Sequence, residues 1–327
     1  MDVNEKLAML EKKVLEEMQQ KKKNNIPEKF GIVLAGGGGK GAYQIGVLKA
    51  LAERNLLDRV TSISGCSVGA INLLLYVLGD IELAETLWND ISYSKFLRLD
   101  YDKIDMKEGL FSRDELVELM EQYIDFSKIS LCDKPLYVTV TEFLSDGYKR
   151  PVYMQINNLT KEEIIDLILA SSAMPIIYEN IHMEGRRFKD GGITDNTPIK
   201  PLYDIGEKNI LVINLDEGAT IDKSKYEGVS FIHIKPYKSI GGLIDGTLDF
   251  SRNGSKFRQE IGYLDAVRIL DNASGEKVVF SETMNIMAEN DYTRVVQKYS
   301  ALSKVDTLNK DMDKINNMMS KYDKYFT

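Results

Sequence analysis

The chain has 327 residues, enough for one large domain with extensions, and its formal net charge is −8. This negative charge argues against a nucleic-acid partner and against a general attraction to anionic membranes. The two cysteines, Cys66 and Cys132, are too few and too far apart for a disulfide framework, so we expect a cytoplasmic protein.

Residues 1–27 predict an amphipathic helical arm. Its apolar residues repeat at helical spacing on one face: Val3, Leu7, Leu10, Val14 and Met18. We favour packing of this face on the protein body or on another subunit, and the alternative is a transient contact with a membrane surface. Charged residues crowd the start of the arm, so it does not predict a signal peptide.

A run of glycines follows the first predicted strand. The apolar stretch Phe30–Ala35 predicts a buried strand, and residues 42–51 have the apolar spacing of a helix. Between them lie Gly36, Gly37, Gly38, Gly39, Lys40 and Gly41. The N–H groups of such a run have no side chains in front of them, and the helix start adds unpaired donors and the positive end of its dipole. The run therefore predicts a site that binds negative charge.

Three kinds of site fit a glycine run at this position. A phosphate-binding P-loop needs Ser or Thr after its lysine, whereas Lys40 is followed by Gly41. A dinucleotide-binding fold matches the glycine spacing, but it needs an acidic residue at the end of the second strand, where this chain has a serine motif. An oxyanion hole, in which glycine amides stabilise the charge formed when a serine attacks a carbonyl, fits best. A nucleotide-binding oxidoreductase is the less favoured alternative.

The second predicted strand, Val60–Ser64, runs directly into the residues Gly65, Cys66, Ser67, Val68 and Gly69. A strand that turns at once into a helix holds the central serine in a strained conformation, and the flanking glycines let neighbouring backbone approach. The Ser67 hydroxyl is then presented as a nucleophile. Residues 60–79 carry no charge, but the serine motif divides them into a strand and a helix, so we expect no transmembrane helix.

The remaining elements alternate between strands and helices. Helices are predicted over 81–91, 112–124 and 160–170, and strands over 136–143, 152–156 and 209–215. Capping boxes are predicted at Ser112 with Glu115 and at Thr160 with Glu163. This order predicts an α/β fold with a mostly parallel central sheet, helices on both faces, and a ligand site at the C-terminal strand ends.

A nucleophilic serine needs a base, and the chain offers an aspartate or one of its two histidines. Asp190 ends a short predicted strand and precedes two glycines, which leave its carboxylate unhindered. His182 lies near a predicted turn, and His233 lies in an alternating strand where a structural role is commoner. The order Ser67, Asp190, His233 nevertheless matches an α/β-hydrolase triad. We favour Asp190 as the direct partner of Ser67 and keep the triad as the alternative.

Three motifs, in this order and spacing, resemble the patatin-like phospholipase family. They are the glycine run from Gly36 to Gly41, the serine motif from Gly65 to Gly69, and Asp190-Gly191-Gly192 followed by Asn196 and Pro198. Residues 170–175 also resemble the small-residue stretch that precedes the family's aspartate. The similarity covers about residues 28–215 and implies a patatin-like fold, flanked here by N- and C-terminal helical extensions.

The resemblance implies a role for each motif residue. Ser67 would be the nucleophile and Asp190 its base, in a dyad that hydrolyses a lipid or another acyl ester through an acyl-enzyme. The N–H groups of the oxyanion hole would come from Gly37, Gly38, Gly39 and Val68. The supporting motif positions are Gly36, Lys40, Gly41, Gly65, Gly69, Gly191, Gly192, Asn196 and Pro198. This chemistry calls for no metal and no cofactor.

Residues 216–327 predict the last strands of the core and a helical C-terminal extension. Its apolar positions repeat at helical spacing: Leu302, Val305, Leu308, Met312, Ile315 and Met319. A basic cluster over 252–258 could contact a lipid head group. We therefore expect a helical arm (1–27), a catalytic core (28–215) and an extension (216–327), with phospholipase A or lysophospholipase activity. A non-catalytic lipid-binding protein on the same scaffold is the second hypothesis.

Overall fold

The computed structural model describes residues 26–90, 113–172, 181–183, 185–274, 277–278 and 282–322. The predictions for residues 1–25, for the capping box at Ser112 and for segment 173–175 lie outside this part of the chain. The strands are β1 (Phe30–Leu34), β2 (Val60–Cys66), β3 (Leu136–Phe143), β4 (Lys149–Gln155), β5 (Ile181–Met183), β6 (Arg186–Asp190), β7 (Asn209–Ile213), β8 (Ser230–Ile234), β9 (Ala273–Ser274) and β10 (Lys277–Val278). The α-helices are α1 (Ala42–Ala52), α2 (Val68–Leu78), α3 (Ile81–Asp90), α4 (Arg113–Tyr123), α5 (Phe126–Leu131), α6 (Lys161–Ser171), α7 (Lys200–Asp204), α8 (Arg252–Asn272) and α9 (Glu282–Tyr322).

Strands β1 to β8 form one mixed sheet in the order β5-β6-β3-β2-β1-β7-β8, with β4 also paired to β3. The five strands β3, β2, β1, β7 and β8 run parallel to one another. The remaining strands are antiparallel to their neighbours. The prediction of a mostly parallel α/β sheet is confirmed, and the C-terminal ends of β1 and β2 lie side by side because these strands pair directly.

Two strands meet end to end along one edge of β3. Strand β4 occupies the other edge of β3, so β2 and β6 share the edge that remains. Strand β2 pairs with the first half of β3, with Cys66 opposite Thr139. Strand β6 arrives from the opposite direction and ends with Asp190 opposite Val140. Because Thr139 and Val140 are consecutive, the register brings the ends of β2 and β6 together.

Apolar residues cover both faces of the sheet. On one face, helix α1 is buried along nearly its whole circumference and packs against α8, while α2 packs against β2. On the other face, Ile199 and Leu202 pack against Val33 and Val212 of the strands. This arrangement confirms helices on both faces and explains why residues 68–78 are apolar nearly all round.

Several boundaries match the sequence prediction and a few differ. The capping box at Thr160 and Glu163 is present at the start of α6. The predicted strand 209–215 ends at Ile213. In α9, the side chains of Leu302, Val305 and Met312 are exposed. Within the described ranges, none of the helices has the length and hydropathy needed to cross a bilayer.

The turn between β2 and α2 holds Ser67 at φ 54° and ψ −123°, a conformation that residues with a Cβ rarely adopt. Backbone packs tightly on both sides of it. A Cβ placed on Gly65 would lie 2.5 Å from the carbonyl oxygen of Gly69, and one on Gly69 would lie 2.1 Å from that of Leu34. Both glycines are therefore needed for close approach, and the strain falls on Ser67.

The strain at Ser67 should affect the free energy of unfolding of variants at this position. The Ser67→Gly variant should be more stable than Ser67→Ala by about 1 kcal/mol, because both lose the hydroxyl but only glycine adopts this φ without strain. Urea unfolding followed by circular dichroism measures the difference. A Ser67→Gly variant no more stable than Ser67→Ala would show that the turn is not strained.

Candidate active site

Ser67 and Asp190 meet where β2 and β6 end. The Ser67 hydroxyl donates a hydrogen bond to Asp190 Oδ2 at 2.9 Å. The N–H of Gly192 donates to the other carboxylate oxygen, Oδ1, at 2.7 Å. The backbone N–H of Ser67 donates to Ser171 Oγ at 2.8 Å. The two side chains named from the sequence are thus in direct contact, and both residues are buried.

Burial controls the protonation of Asp190. Loss of solvent raises the pKa of this carboxyl to about 6, and the hydrogen bonds from Gly192 and Ser67 oppose only part of that rise. A carboxylate with this pKa is a stronger base than an ordinary aspartate and is still mostly ionised at pH 7. Asp190 can therefore accept a proton from the Ser67 hydroxyl near neutral pH.

The glycine run lies against Ser67. A Cβ placed on Gly36 would lie 3.1 Å from Ser67 Cβ. Asn196 holds the start of the run, because its side-chain Nδ2 donates to Gly36 O at 3.2 Å and its backbone carbonyl oxygen accepts from Gly36 N–H at 3.1 Å. For the N–H groups of the next three glycines we find no acceptor among the residues that the structure describes.

Helix α2 begins beside the run. Its first residue is Val68, and no side chain caps this end of the helix. The end of the run packs on it, since a Cβ on Gly41 would lie 2.4 Å from Val68 Cγ2. The Lys40 side chain turns away to Gly246, where a Cβ would lie 2.8 Å from Lys40 Cε. The helix dipole thus adds positive potential next to Ser67.

The aspartate motif is fixed to the sheet by its own backbone. A Cβ on Gly191 would lie 2.4 Å from the carbonyl oxygen of Thr139, so this position has no room for a side chain. Farther along, the carbonyl oxygen of Pro198 accepts a hydrogen bond from the Ser64 hydroxyl of β2. The segment after Asp190 is therefore attached to the same two strands that position Ser67.

An apolar groove, partly open to solvent, starts at Val68, the residue after Ser67. Among its lining residues are Val68, Ile71, Leu75, Trp88, Met120 and Phe250. The first three form a stripe along α2 that leads away from Ser67. The Trp88 indole stacks on Phe250 with ring centroids 6.2 Å apart, and its N–H donates to Asn72 Oδ1. The groove therefore presents an apolar surface that leads away from the turn holding Ser67.

The fold does not bring His233 to Ser67. His233 lies on β8, and the strands β1 and β7 separate β8 from β2. Its Nε2 is 2.6 Å from Asn214 Oδ1, and burial lowers the pKa of the imidazole to about 4. His182 is paired through β5 with Arg187 of β6. The alternative triad of Ser67, Asp190 and His233 is therefore wrong, because the sheet order keeps its histidine away.

Two contacts near the site were not anticipated. Ser171 links Ser67 N–H to the carbonyl oxygen of Thr139, which its hydroxyl contacts at 2.7 Å. Arg258 belongs to the basic cluster over 252–258 that could contact a lipid head group, but its side chain is buried and donates to the carbonyl oxygens of Ile240, Asp245 and Asp249. Only the fold could show this, because a basic side chain is normally solvated.

A metal site would need several side chains that can bind the ion together. In the described part of the chain, His, Cys, Asp and Glu side chains do not converge in groups of three or more that could hold a metal. Cys66, beside the nucleophile, is buried, and burial raises the pKa of its thiol well above the ordinary value. A protonated, buried thiol is a poor nucleophile and a poor ligand.

A family profile and several known proteins match part of this chain. The profile of the patatin-like phospholipase family matches residues 32–203, more than half of the chain. The lysophospholipase NTE1 of Cryptococcus neoformans is 25% identical over 205 residues, which are 60% of this chain and 12% of that protein. A probable lipid hydrolase of invertebrate iridescent virus 6 is 26% identical over 186 residues, 51% of this chain and 61% of that protein.

Among solved structures, VipD of Legionella pneumophila aligns with a TM-score of 0.49 and 15% identity, covering 89% of this chain and 78% of that one. The chain spans about an eighth of the length of the fungal relative and about three fifths of the viral one. The family profile covers the glycine run, the serine motif and the aspartate motif together. The chain belongs to the patatin-like phospholipase family.

Proposed function

We propose that this chain is a lipid acyl hydrolase of the phospholipase A or lysophospholipase type, with Ser67 as nucleophile and Asp190 as base. The observation that carries the proposal is the 2.9 Å hydrogen bond from Ser67 Oγ to a buried carboxylate whose pKa is raised to about 6. Family membership and the names of the two relatives, a lysophospholipase and a lipid hydrolase, support the lipid substrate.

The first half of the reaction forms an acyl-enzyme. Ser67 Oγ attacks the ester carbonyl carbon while its proton passes to Asp190 Oδ2. The carbonyl oxygen becomes an oxyanion, which accepts hydrogen bonds from the N–H groups of Gly37, Gly38 and Gly39, with Val68 N–H at the helix start as a further donor. When the tetrahedral intermediate collapses, Asp190 returns the proton to the departing alkoxide, and the alcohol leaves.

The second half releases the acid. Water attacks the acyl-enzyme and gives a proton to Asp190, the same donors hold the new oxyanion, and Ser67 recovers its proton as the carboxylic acid departs. The apolar groove along α2 would hold the acyl chain in both halves, since it starts at Val68, the residue after the nucleophile.

Loss of either side chain should abolish turnover. Ser67→Ala and Asp190→Asn should each lower kcat for a p-nitrophenyl ester at least about a thousandfold, because nucleophile and base act as one unit. The matched control is Asp195→Asn, five residues away, whose carboxylate accepts from the Tyr153 hydroxyl. A second control, His233→Gln, should keep activity within about threefold, since only the rival triad uses this residue.

A fluorophosphonate probe separates the enzyme from a lipid-binding protein on the same scaffold. The wild-type chain should be labelled at Ser67, as peptide mass spectrometry would show, and Ser67→Ala should not. Folded wild-type protein that binds lipid but resists the probe would contradict the proposal.

The pH dependence follows from the raised pKa of Asp190. This carboxyl works as a base only when ionised, so kcat/KM should rise with pH through about 6 and level off above it. Below that point the rate should fall roughly tenfold per pH unit. Initial rates on a soluble ester between pH 4.5 and 8 test this, with circular dichroism at each pH as the control for unfolding. A flat profile across pH 5 to 7 would refute Asp190 as the base.

The groove should set the acyl length. Ile71 is four residues after Ser67 on α2, roughly 6 Å along the helix. The variant Ile71→Trp should therefore lower kcat/KM for hexadecanoyl esters about tenfold relative to butanoyl esters, because the long chain meets the indole. Val77→Trp, on the same helix but outside the groove, is the control. An equal loss for both chain lengths would place the acyl chain elsewhere.

A further inference from the structure

A short turn lies over the glycine run. Residues 239–251 follow β8, and within them Leu243–Thr247 form a single π-helical turn. One side of this segment touches the run directly: a Cβ on Gly38 would lie 2.3 Å from Thr247 O, and one on Gly39 would lie 2.2 Å from Asp249 O. Since β1 and β8 are parallel, the turn and the glycine run lie at the same end of the sheet as Ser67, where the parallel strands have their C-termini.

The other side of the turn is apolar and exposed. Leu243 is 67% exposed and Ile244 is 79% exposed. Two adjacent aliphatic side chains at this exposure keep a sizeable apolar surface in water. Phe250, which lines the apolar groove beside Ser67, belongs to the same stretch of chain. The same segment therefore carries both the exposed pair and one wall of the groove that the proposed function assigns to the acyl chain.

The turn is held rigidly in this position. The buried Arg258 side chain donates to the carbonyl oxygens of Ile240, Asp245 and Asp249, and it pairs with Asp249 Oδ2 at 2.7 Å. Three carbonyl bonds and one ion pair from a single side chain fix both ends of the turn. The exposed pair is thus presented in a defined place beside the glycine run.

The charges around the turn select the kind of surface. Residues 239–251 contain no Lys or Arg, and their acidic residues are Asp245 and Asp249. Basic side chains beside this segment include Lys238, which pairs with Glu289, Arg252, which pairs with Asp90, and Lys40, which reaches Gly246. Most of these charges are paired and the chain as a whole carries a net charge of −8, so the attraction to an anionic membrane is weak. A neutral or zwitterionic lipid surface would accept the two aliphatic side chains by hydrophobic burial alone.

We propose that Leu243 and Ile244 insert into the surface of a zwitterionic lipid aggregate. The end of the sheet that holds the C-termini of the parallel strands then faces the lipid. This inference rests on the proposed function, because it explains how an ester in a bilayer reaches Ser67. Docking at this pair places the glycine run and the mouth of the groove against the lipid, so an acyl chain enters the groove without crossing water.

Vesicle flotation tests the docking separately from catalysis. The full chain carrying Ser67→Ala should float with phosphatidylcholine vesicles, and adding 1 M NaCl should not weaken the binding. Adding Leu243→Ser and Ile244→Ser together should weaken binding about tenfold or more, since two large aliphatic side chains are lost. Leu131→Ser is the matched control. Leu131 is 82% exposed, but it lies just before β3 and therefore at the opposite end of the sheet, where the parallel strands begin.

Several results would overturn the inference. One is that the double variant floats as well as its parent, and another is that the Leu131→Ser control loses as much flotation as the double variant does. Binding that requires anionic lipid and disappears in 1 M NaCl would overturn the inference as well. If sedimentation velocity shows that the parent is a dimer and the double variant a monomer, that result assigns Leu243 and Ile244 to a subunit interface instead.

Activity distinguishes failure of this inference from failure of the proposed function. In the chain with Ser67 intact, the double variant should keep full turnover of a soluble butanoyl ester and lose about tenfold or more on phosphatidylcholine vesicles. Equal activity of variant and wild type on vesicles overturns the docking while the hydrolase stands. No turnover of the soluble ester by the wild type refutes the hydrolase, and the flotation result still decides the docking.

Discussion

The hydrogen bond between Ser67 and Asp190 depends on how β2 and β6 share one edge of β3. Both strands end at this edge, one arriving parallel to β3 and the other antiparallel, with Cys66 and Asp190 opposite consecutive residues. Residues 123 positions apart in sequence are thereby placed within hydrogen-bonding distance by backbone pairing alone. A one-residue slip of β6 would turn the Asp190 side chain to the other face of the sheet.

Close backbone packing surrounds this bond and explains the glycines. Gly65, Gly69 and Gly191 each face a carbonyl oxygen at a distance that excludes a Cβ. Gly38 and Gly39 are in the same situation against the turn that Arg258 holds. The site is therefore closely packed, and the same burial that excludes side chains raises the pKa of Asp190. Close packing, the strained serine and the strengthened base are consequences of one arrangement.

Much of the fold was predictable, and the reasons are local. Strand β1, helix α1 and the capping box of α6 follow from apolar spacing and turn chemistry within a few residues. The choice between Asp190 and His233 as partner of Ser67 was not local. It depended on the order β2-β1-β7-β8, in which two strands lie between His233 and Ser67. The alternating pattern of β8 does not show where this strand lies in the sheet. Arg258 was misread for a similar reason, since its partners are backbone carbonyls that carry no sequence signal.

The three motifs, the elements that carry them and the family could be inferred from the amino-acid order alone, because glycine, serine and aspartate at fixed spacing reflect backbone constraints that act over a few residues. Only the packed chain shows which distant groups touch: Ser67 with Asp190, and Arg258 with the turn that exposes Leu243 and Ile244. These contacts depend on strand order, register and burial. Such properties arise only when the whole chain has packed, so no local pattern encodes them.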